Sequence, residues 1–145
     1  MNEPVTDIAR LIQLAVAPVF LLAGVGALLA VLTGRLNRII DRVRVIEKEV
    51  VTADHPQRDE IHGEFERLAR RARLISRAIV LASLTGLIVC LLIVALFVGD
   101  ILTIALARIV ALLFVLAMLS FSGAFVYFLR EVLYATAALR IGPKP

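Results

Sequence analysis

Few side chains in this 145-residue sequence have the types and spacing that catalysis needs. His55 and His62, its two histidines, share one charged stretch with Asp59 and Glu66, and such a group could approach a metal ion. A solvated surface is the simpler interpretation. The sequence contains no Ser–His–Asp set and no phosphate-binding glycine loop. We therefore expect no catalytic residue, no metal, no cofactor and no enzymatic activity.

Arginine is the charged residue with the most informative placement. The stretch 35–77 contains eleven Lys and Arg residues, and those nearest the uncharged segments could form a basic collar for anionic lipid headgroups or permeating anions. The alternative is that these charges only fix topology. Because no aromatic residues are interleaved with them, we do not expect nucleic-acid binding. The candidate collar residues are Arg38, Arg42, Arg70, Arg71 and Arg77.

Residues 46–66 reverse the sign of the charge, with seven acidic residues against Lys48 and Arg58. This acidic segment could recruit a cytoplasmic protein, although a solvated surface is the simpler interpretation.

Three of the polar residues within or beside the apolar segments are candidates for a function, namely Gln13, Asp100 and Arg108. A charge at membrane depth is a candidate functional group because it must face a partner or water. Arg108 could instead extend its guanidinium to the headgroups. Asp100, eight residues earlier, is too distant in sequence to pair with it directly on one helix.

Three uncharged stretches, 11–34, 78–99 and 109–129, determine the fold class. Each has about the 20 residues that a helix needs to cross a bilayer. The chain is 61% hydrophobic, with a mean hydropathy of +0.94, which exceeds what a soluble domain requires. We expect one all-α integral membrane domain over residues 1–145, with transmembrane helices at about 11–34, 78–98 and 102–129 and a C-terminal tail at 130–145.

The charged segment between the first two spans has helical rhythm. Apolar residues recur at spacings of three and four from Leu36 to Val50 and again from Ile61 to Ile79, with a turn around Pro56. This pattern predicts an antiparallel coiled-coil hairpin over 35–77, continuous with the first two helices. Gly99 and Asp100 predict a tight turn before the third span.

Small residues at every fourth position predict close helix packing within lipid, either inside one chain or between copies. They are Gly26, Ala30 and Gly34 in the first span and Ala78, Ala82, Gly86 and Cys90 in the second. Because positive residues mark the cytoplasmic side, we expect the hairpin and C-terminus inside and the N-terminus outside.

Three strings give the chain a family resemblance: RLNRIIDR at 35–42, RRARLISRAI at 70–79 and FLREV at 128–132. Together they resemble a family of small bacterial inner-membrane proteins known only as a domain of unknown function. The resemblance covers nearly the whole chain and implies a bacterial three-span protein. It implies no activity for any single residue.

Two functions of different class fit these features. The first is a homo-oligomeric ion-conducting pore with the arginine collar at its inner mouth, since three helices alone enclose no polar path. The second is a non-conducting scaffold or accessory subunit whose acidic hairpin tip recruits a cytoplasmic protein. The expected partners are the bilayer, anionic lipids and further copies of the chain.

Overall fold

The computed structural model describes residues 3–52, 55–102 and 106–139. Over these residues the chain forms three α-helices: α1 is Glu3–Thr52, α2 is His55–Ile101 and α3 is Ala107–Leu139. Each is long and apolar enough to cross a membrane. The chain is therefore an all-α multi-pass membrane protein with three candidate spans, as its uncharged stretches predict.

The first two helices each join apolar and charged sequence without interruption, which confirms their predicted continuity. α1 continues through Pro18, and it ends only at Thr52. α2 begins at His55, so Pro56 lies at the start of a helix, where the missing backbone N–H breaks no helical hydrogen bond. Ala53 and Asp54, which belong to the predicted turn, lie outside the described residues.

The predicted tight turn at Gly99 and Asp100 is wrong. α2 continues through both residues to Ile101, and the backbone N–H of Leu102 donates to the carbonyl of Val98 over 3.0 Å. A glycine inside a helix costs only about 1 kcal/mol, so it does not by itself end one. Gly99 is buried within this part of α2.

The third helix is displaced towards the C-terminus relative to the predicted span at 102–129. It begins at Ala107 and continues to Leu139, well into the predicted tail. The alanines and apolar residues that follow Arg130 are good helix formers and do not interrupt it. Residues 103–105, within the predicted span, and 140–145, at the end of the predicted tail, lie outside the described residues.

The chain divides into two compact units, and each helix contributes residues to both. The first unit comprises Met1–Leu29 and Leu81–Gly123. Its buried side chains are small or aliphatic, which allows the helix backbones to approach closely. They include Val25 and Leu28 of α1, Ala82, Thr85, Val89 and Leu92 of α2, and Ala117 of α3.

Leu81 connects α2 to α3 in this first unit. Its carbonyl accepts hydrogen bonds from the Ser120 hydroxyl across the helix interface and from Thr85 one turn along α2, both at 2.9 Å. A methyl group at Gly123 would lie 3.1 Å from Leu81 Cδ1. The absence of a side chain at Gly123 is therefore what lets α3 lie so close to Leu81.

The second unit comprises Ala30–Val80 and Ala124–Pro145. Its buried large apolar residues recur every seven positions, at Leu32, Ile39 and Ile46 in α1 and at Leu68 and Ile75 in α2, and Ala78 of α2 is buried as well. α3 belongs to the same unit through Ala124 and Glu131, which are also buried. A separate two-helix coiled-coil hairpin is therefore not supported, because a third helix shares this core.

Candidate functional site: an arginine–glutamate node and a basic cleft

Glu131 is the most unusual residue of the second unit, because its side chain is fully buried. It lies on α3 seven residues after Ala124, so the periodicity that buries a small residue one heptad earlier also places a carboxylate inside. A buried carboxylate is costly unless opposite charges and hydrogen bonds surround it. The question is therefore which groups neutralise it.

Two arginines, one from each of the other helices, hold this carboxylate. Arg71 of α2 donates from Nε and Nη2 to Glu131 Oε1, at 3.0 and 2.9 Å. Arg35 of α1 places Nη2 at 2.7 Å from Oε2. This last approach misses the hydrogen-bond direction, but opposite charges so close attract at any angle, and we count it as an ion pair. We call Arg35, Arg71 and Glu131 the node.

The node carries one surplus positive charge, since two guanidinium groups face one carboxylate. Part of this surplus lies over an aromatic ring: the Arg35 guanidinium carbon is 5.6 Å from the centre of the Phe128 ring, one helical turn before Glu131. Both arginine side chains remain more than a quarter exposed, so water shares in their solvation. The node thus ties three helices together through one carboxylate.

A basic cleft is the second feature of this unit. It has a volume of about 530 Å³ and is lined by Arg70, Arg73, Leu74 and Arg77 of α2 and by Arg130 and Tyr134 of α3. None of the described residues lining it is acidic. The Arg70 guanidinium lies over the Tyr134 ring at 5.6 Å, and Arg77 lies over Tyr127 at 5.9 Å. These rings orient two of the four guanidinium groups without neutralising them.

The predicted collar residues do not form one set. Arg71 belongs to the node, and Arg70 and Arg77 line the cleft. Arg42 pairs with Glu64 of α2 through two hydrogen bonds of 2.8 and 3.2 Å, with both side chains largely solvated. Arg38 is exposed on α1.

The polar candidates of the apolar segments are not brought together. Gln13 is exposed on α1, and Arg108 is exposed in the first turn of α3. Asp100 lines an apolar cavity of about 760 Å³ in the first unit, beside Pro18 and Phe114. In the part of the chain that the structure describes, Asp100 and Arg108 form no ion pair.

The two sets of small residues at every fourth position, which we call the packing stripes, differ in whether they are buried within the chain. Ala78 and Ala82 are buried, and a methyl group at Gly86 would lie 3.7 Å from Val25, so the second stripe packs within the chain. Gly26 and Ala30 are exposed, and methyl groups at Gly26 and Gly34 would meet nothing within 4 Å. Cys90 is exposed at the end of its stripe.

The described residues near the predicted turn at Pro56 form no metal site. Among the described residues, no group of three or more His, Cys, Asp or Glu side chains could hold a metal ion. His62 is exposed, whereas the side chain of His55 lies outside the described part of the chain.

Sequence reasoning missed Glu131 and Arg35 as partners. A usable signal was present: Glu131 is the only acidic residue after Asp100, and it follows an uncharged stretch of 21 residues at 109–129 by two positions. A lone carboxylate there, in a chain with many arginines beside its other spans, indicates a specific partner.

Comparison with known proteins identifies a family without a described activity. No curated protein and no solved structure matches the chain. A family model described as a protein of unknown function matches residues 15–141. This range includes most of the described part of all three helices and all three residues of the node. This confirms the resemblance drawn from the sequence. The chain belongs to that family, the protein family of unknown function DUF2721.

Proposed function

We propose that the protein is a non-enzymatic homo-oligomer of the bacterial inner membrane that conducts small anions. The observation that carries this proposal is the surplus of exposed arginine beside the ends of the apolar stretches. In the described residues, Arg38, Arg73 and Arg130 have no carboxylate within ion-pair distance. Repeated around an axis, such charges would concentrate anions and repel cations at a pore mouth.

Assembly of several copies is needed because three helices alone are too few to enclose a polar path, and the cavity beside Asp100 is apolar. The exposed small residues Gly26 and Ala30 of α1 offer a surface on which a second helix could pack closely. Identical subunits joined in this way usually close into a ring. The few exposed hydroxyl groups of the apolar stretches favour a hydrophobic constriction that gates by dewetting.

Orientation follows from charge. We propose that the N-terminus lies outside the cell and that the charged segment and C-terminus lie in the cytoplasm, with the charged parts of α1 and α2 as an antiparallel pair there. Single cysteines replacing Glu3 and His62 in a Cys90→Ser variant test this with a membrane-impermeant thiol reagent. Labelling of position 62 in intact cells would contradict the orientation.

Conduction is tested by recording from purified protein in planar bilayers under a salt gradient. We expect a reversal potential that shows preference for anions. Arg38→Gln combined with Arg44→Gln, which removes two exposed charges from α1, should reduce the preference. Lys48→Gln, in the acidic segment, is the control and should leave it unchanged. Folded oligomers that remain silent across voltage, pH and membrane tension would rule out the pore.

The second candidate is a non-conducting scaffold that recruits a cytoplasmic protein. It is favoured by the exposed carboxylates of the acidic segment, among them Glu47, Glu49, Asp59, Glu60 and Glu66. The two candidates differ in how they respond to mutation. Replacing Asp59, Glu60 and Glu66 by the corresponding amides should abolish cross-linking to a cytoplasmic protein if the scaffold is right. The same change should leave conduction intact if the pore is right.

A further inference from the structure

We propose that the basic cleft binds the phosphate group of an anionic membrane lipid. The proposal concerns a binding site, and it depends on the protein lying in a membrane but not on conduction. Its four guanidinium groups come from two helices: Arg70, Arg73 and Arg77 from α2, and Arg130 from α3.

The arginines of α2 are spaced to act together. Positions 70, 73 and 77 follow one another at three and four residues, which places them on one face of the helix. Four like charges that line one cleft repel each other, and an anion bound between them relieves this repulsion. Guanidinium groups bind phosphate through paired hydrogen bonds, so phosphate is the anion that this set fits best.

The node shows that a carboxylate of the chain itself does not fill this role. Glu131 is on the same helix as Arg130, yet its two oxygens face Arg71 and Arg35. No acidic residue in the described part of the chain lines the cleft. Glu66 lines an adjoining cavity with Arg70 and Arg73 but not the cleft itself, so the described residues leave the cleft with a surplus of positive charge that an external anion can neutralise.

The position of the cleft indicates a lipid as the source. Arg77 directly precedes the uncharged stretch 78–99 of α2, and Arg130 directly follows the stretch 109–129 of α3. Tyr127 and Tyr134 lie at the same boundary, where amphipathic aromatic residues are enriched in membrane proteins. The cleft therefore lies at the level where headgroups meet hydrocarbon.

Apolar side chains next to the cleft can accommodate the rest of the lipid. Val80 is 65% exposed and lies three residues beyond Arg77, on the same helix face. Leu129, directly before Arg130, is 57% exposed. The cleft volume of about 530 Å³ is also within the range of roughly 300–1,000 Å³ typical of small-molecule sites.

Lipid retention in native mass spectrometry tests the proposal on the full chain. Protein is equilibrated in detergent with equal amounts of phosphatidylglycerol and phosphatidylcholine, and bound lipid is counted for each variant. We expect the wild type to retain phosphatidylglycerol preferentially. Arg73→Gln combined with Arg130→Gln should lower this retention about tenfold or more, the effect of losing about 1.4 kcal/mol of binding free energy.

The matched control is Arg44→Gln combined with Lys48→Gln, which removes the same charge from exposed positions of α1 outside the cleft. It should retain phosphatidylglycerol as the wild type does. An equal loss in both double variants would overturn the proposal, because it would show attraction to net charge alone. Unchanged retention in the cleft variant would overturn it as well.

Two further experiments complete the test. The first identifies the source of the phosphate, and the second controls for effects of the substitutions on folding. Inorganic phosphate at millimolar concentration should not displace the lipid, and full displacement would assign the cleft to a soluble anion instead. Arg73→Lys combined with Arg130→Lys keeps the charge and should retain more lipid than the glutamine pair. Bilayer recordings do not enter this test, so silence there leaves its result unaffected.

Discussion

The two units of the chain bury polar groups by opposite means. In the described part of the first unit the buried polar side chain is the neutral Thr85, and its hydroxyl and that of the partly buried Ser120 both donate to the backbone carbonyl of Leu81. In the second unit the buried polar group is the charged side chain of Glu131, held by arginines from two other helices. Burying neutral hydroxyl groups that are hydrogen-bonded therefore costs little free energy. Burying the carboxylate depends on its arginine partners, and removing one partner destabilises the unit.

The largest expected effect is at the node. Glu131→Gln leaves Arg35 and Arg71 facing each other without a counter-charge, and we expect the free energy of unfolding to fall by about 2–4 kcal/mol. This is near the lower end of what breaking a buried pair costs, because both arginines are partly solvated. Denaturation by SDS in mixed micelles, followed by circular dichroism, measures it.

Glu64→Gln is the matched control, because it removes the same charge from the solvated pair with Arg42. A node variant no less stable than this control would show that Glu131 does not hold the second unit together. If Glu131→Leu combined with Arg71→Leu has the stability of the wild type, this result would support the pairing of the two side chains.

The next largest effect concerns packing in the first unit. Gly123→Leu should reduce the free energy of unfolding by about 1–3 kcal/mol, since even its Cβ atom would lie 3.1 Å from Leu81. Gly26→Leu is the control, because a methyl group at that position meets nothing within 4 Å. The same unfolding titration compares them.

Gly26→Leu also sharpens the assembly proposal. We expect this variant to unfold like the wild type but to shift towards monomer in mass measurements in mild detergent. If Gly123→Leu proves harmless while Gly26→Leu unfolds the protein, the contacts assigned to α3 in the first unit are wrong.

A smaller effect is expected for the neutral hydrogen bond between helices. Ser120→Ala removes one of two donors to the Leu81 carbonyl, which keeps the bond from Thr85. The free energy of unfolding should fall by about 0.6 kcal/mol, the average for such bonds in membranes. A loss as large as that of Glu131→Gln would remove the contrast between the two units.

The smallest effect is expected for Arg42→Gln. Its ion pair with Glu64 is solvated on both sides, so the surrounding salt screens it. We expect a change in stability below that of Ser120→Ala in low salt and no measurable change in molar salt. An effect that persists at high salt would place this pair with the buried interactions.

The sequence predicted the helices better than their ends or partners. Three uncharged stretches and the unbroken rhythm of α1 and α2 suffice to predict three long helices. The end of α2 was misplaced because a glycine followed by an aspartate is a turn signal only where tertiary contacts do not favour the helix. Such contacts are not visible in one sequence.

The candidate site was predicted only in part. The arginines were found because the abundance of one residue type is visible in the sequence itself. Their division into a node and a cleft depends on which way each side chain points, and that follows from how the three helices pack. Arg70 and Arg71 show this, since adjacent residues enter different sites.

The node also implies an order of events during synthesis of the protein. Synthesis proceeds from the N-terminus, so Arg35 and Arg71 emerge from the ribosome before Glu131 does. Until α3 is made, the two guanidinium groups lack the carboxylate of Glu131. A nascent chain stalled between Arg71 and Glu131 therefore differs in charge from the finished one at the point where its helices should join. α3 supplies the carboxylate that both arginines face, so synthesis as far as Glu131 is a condition for stable assembly of the second unit.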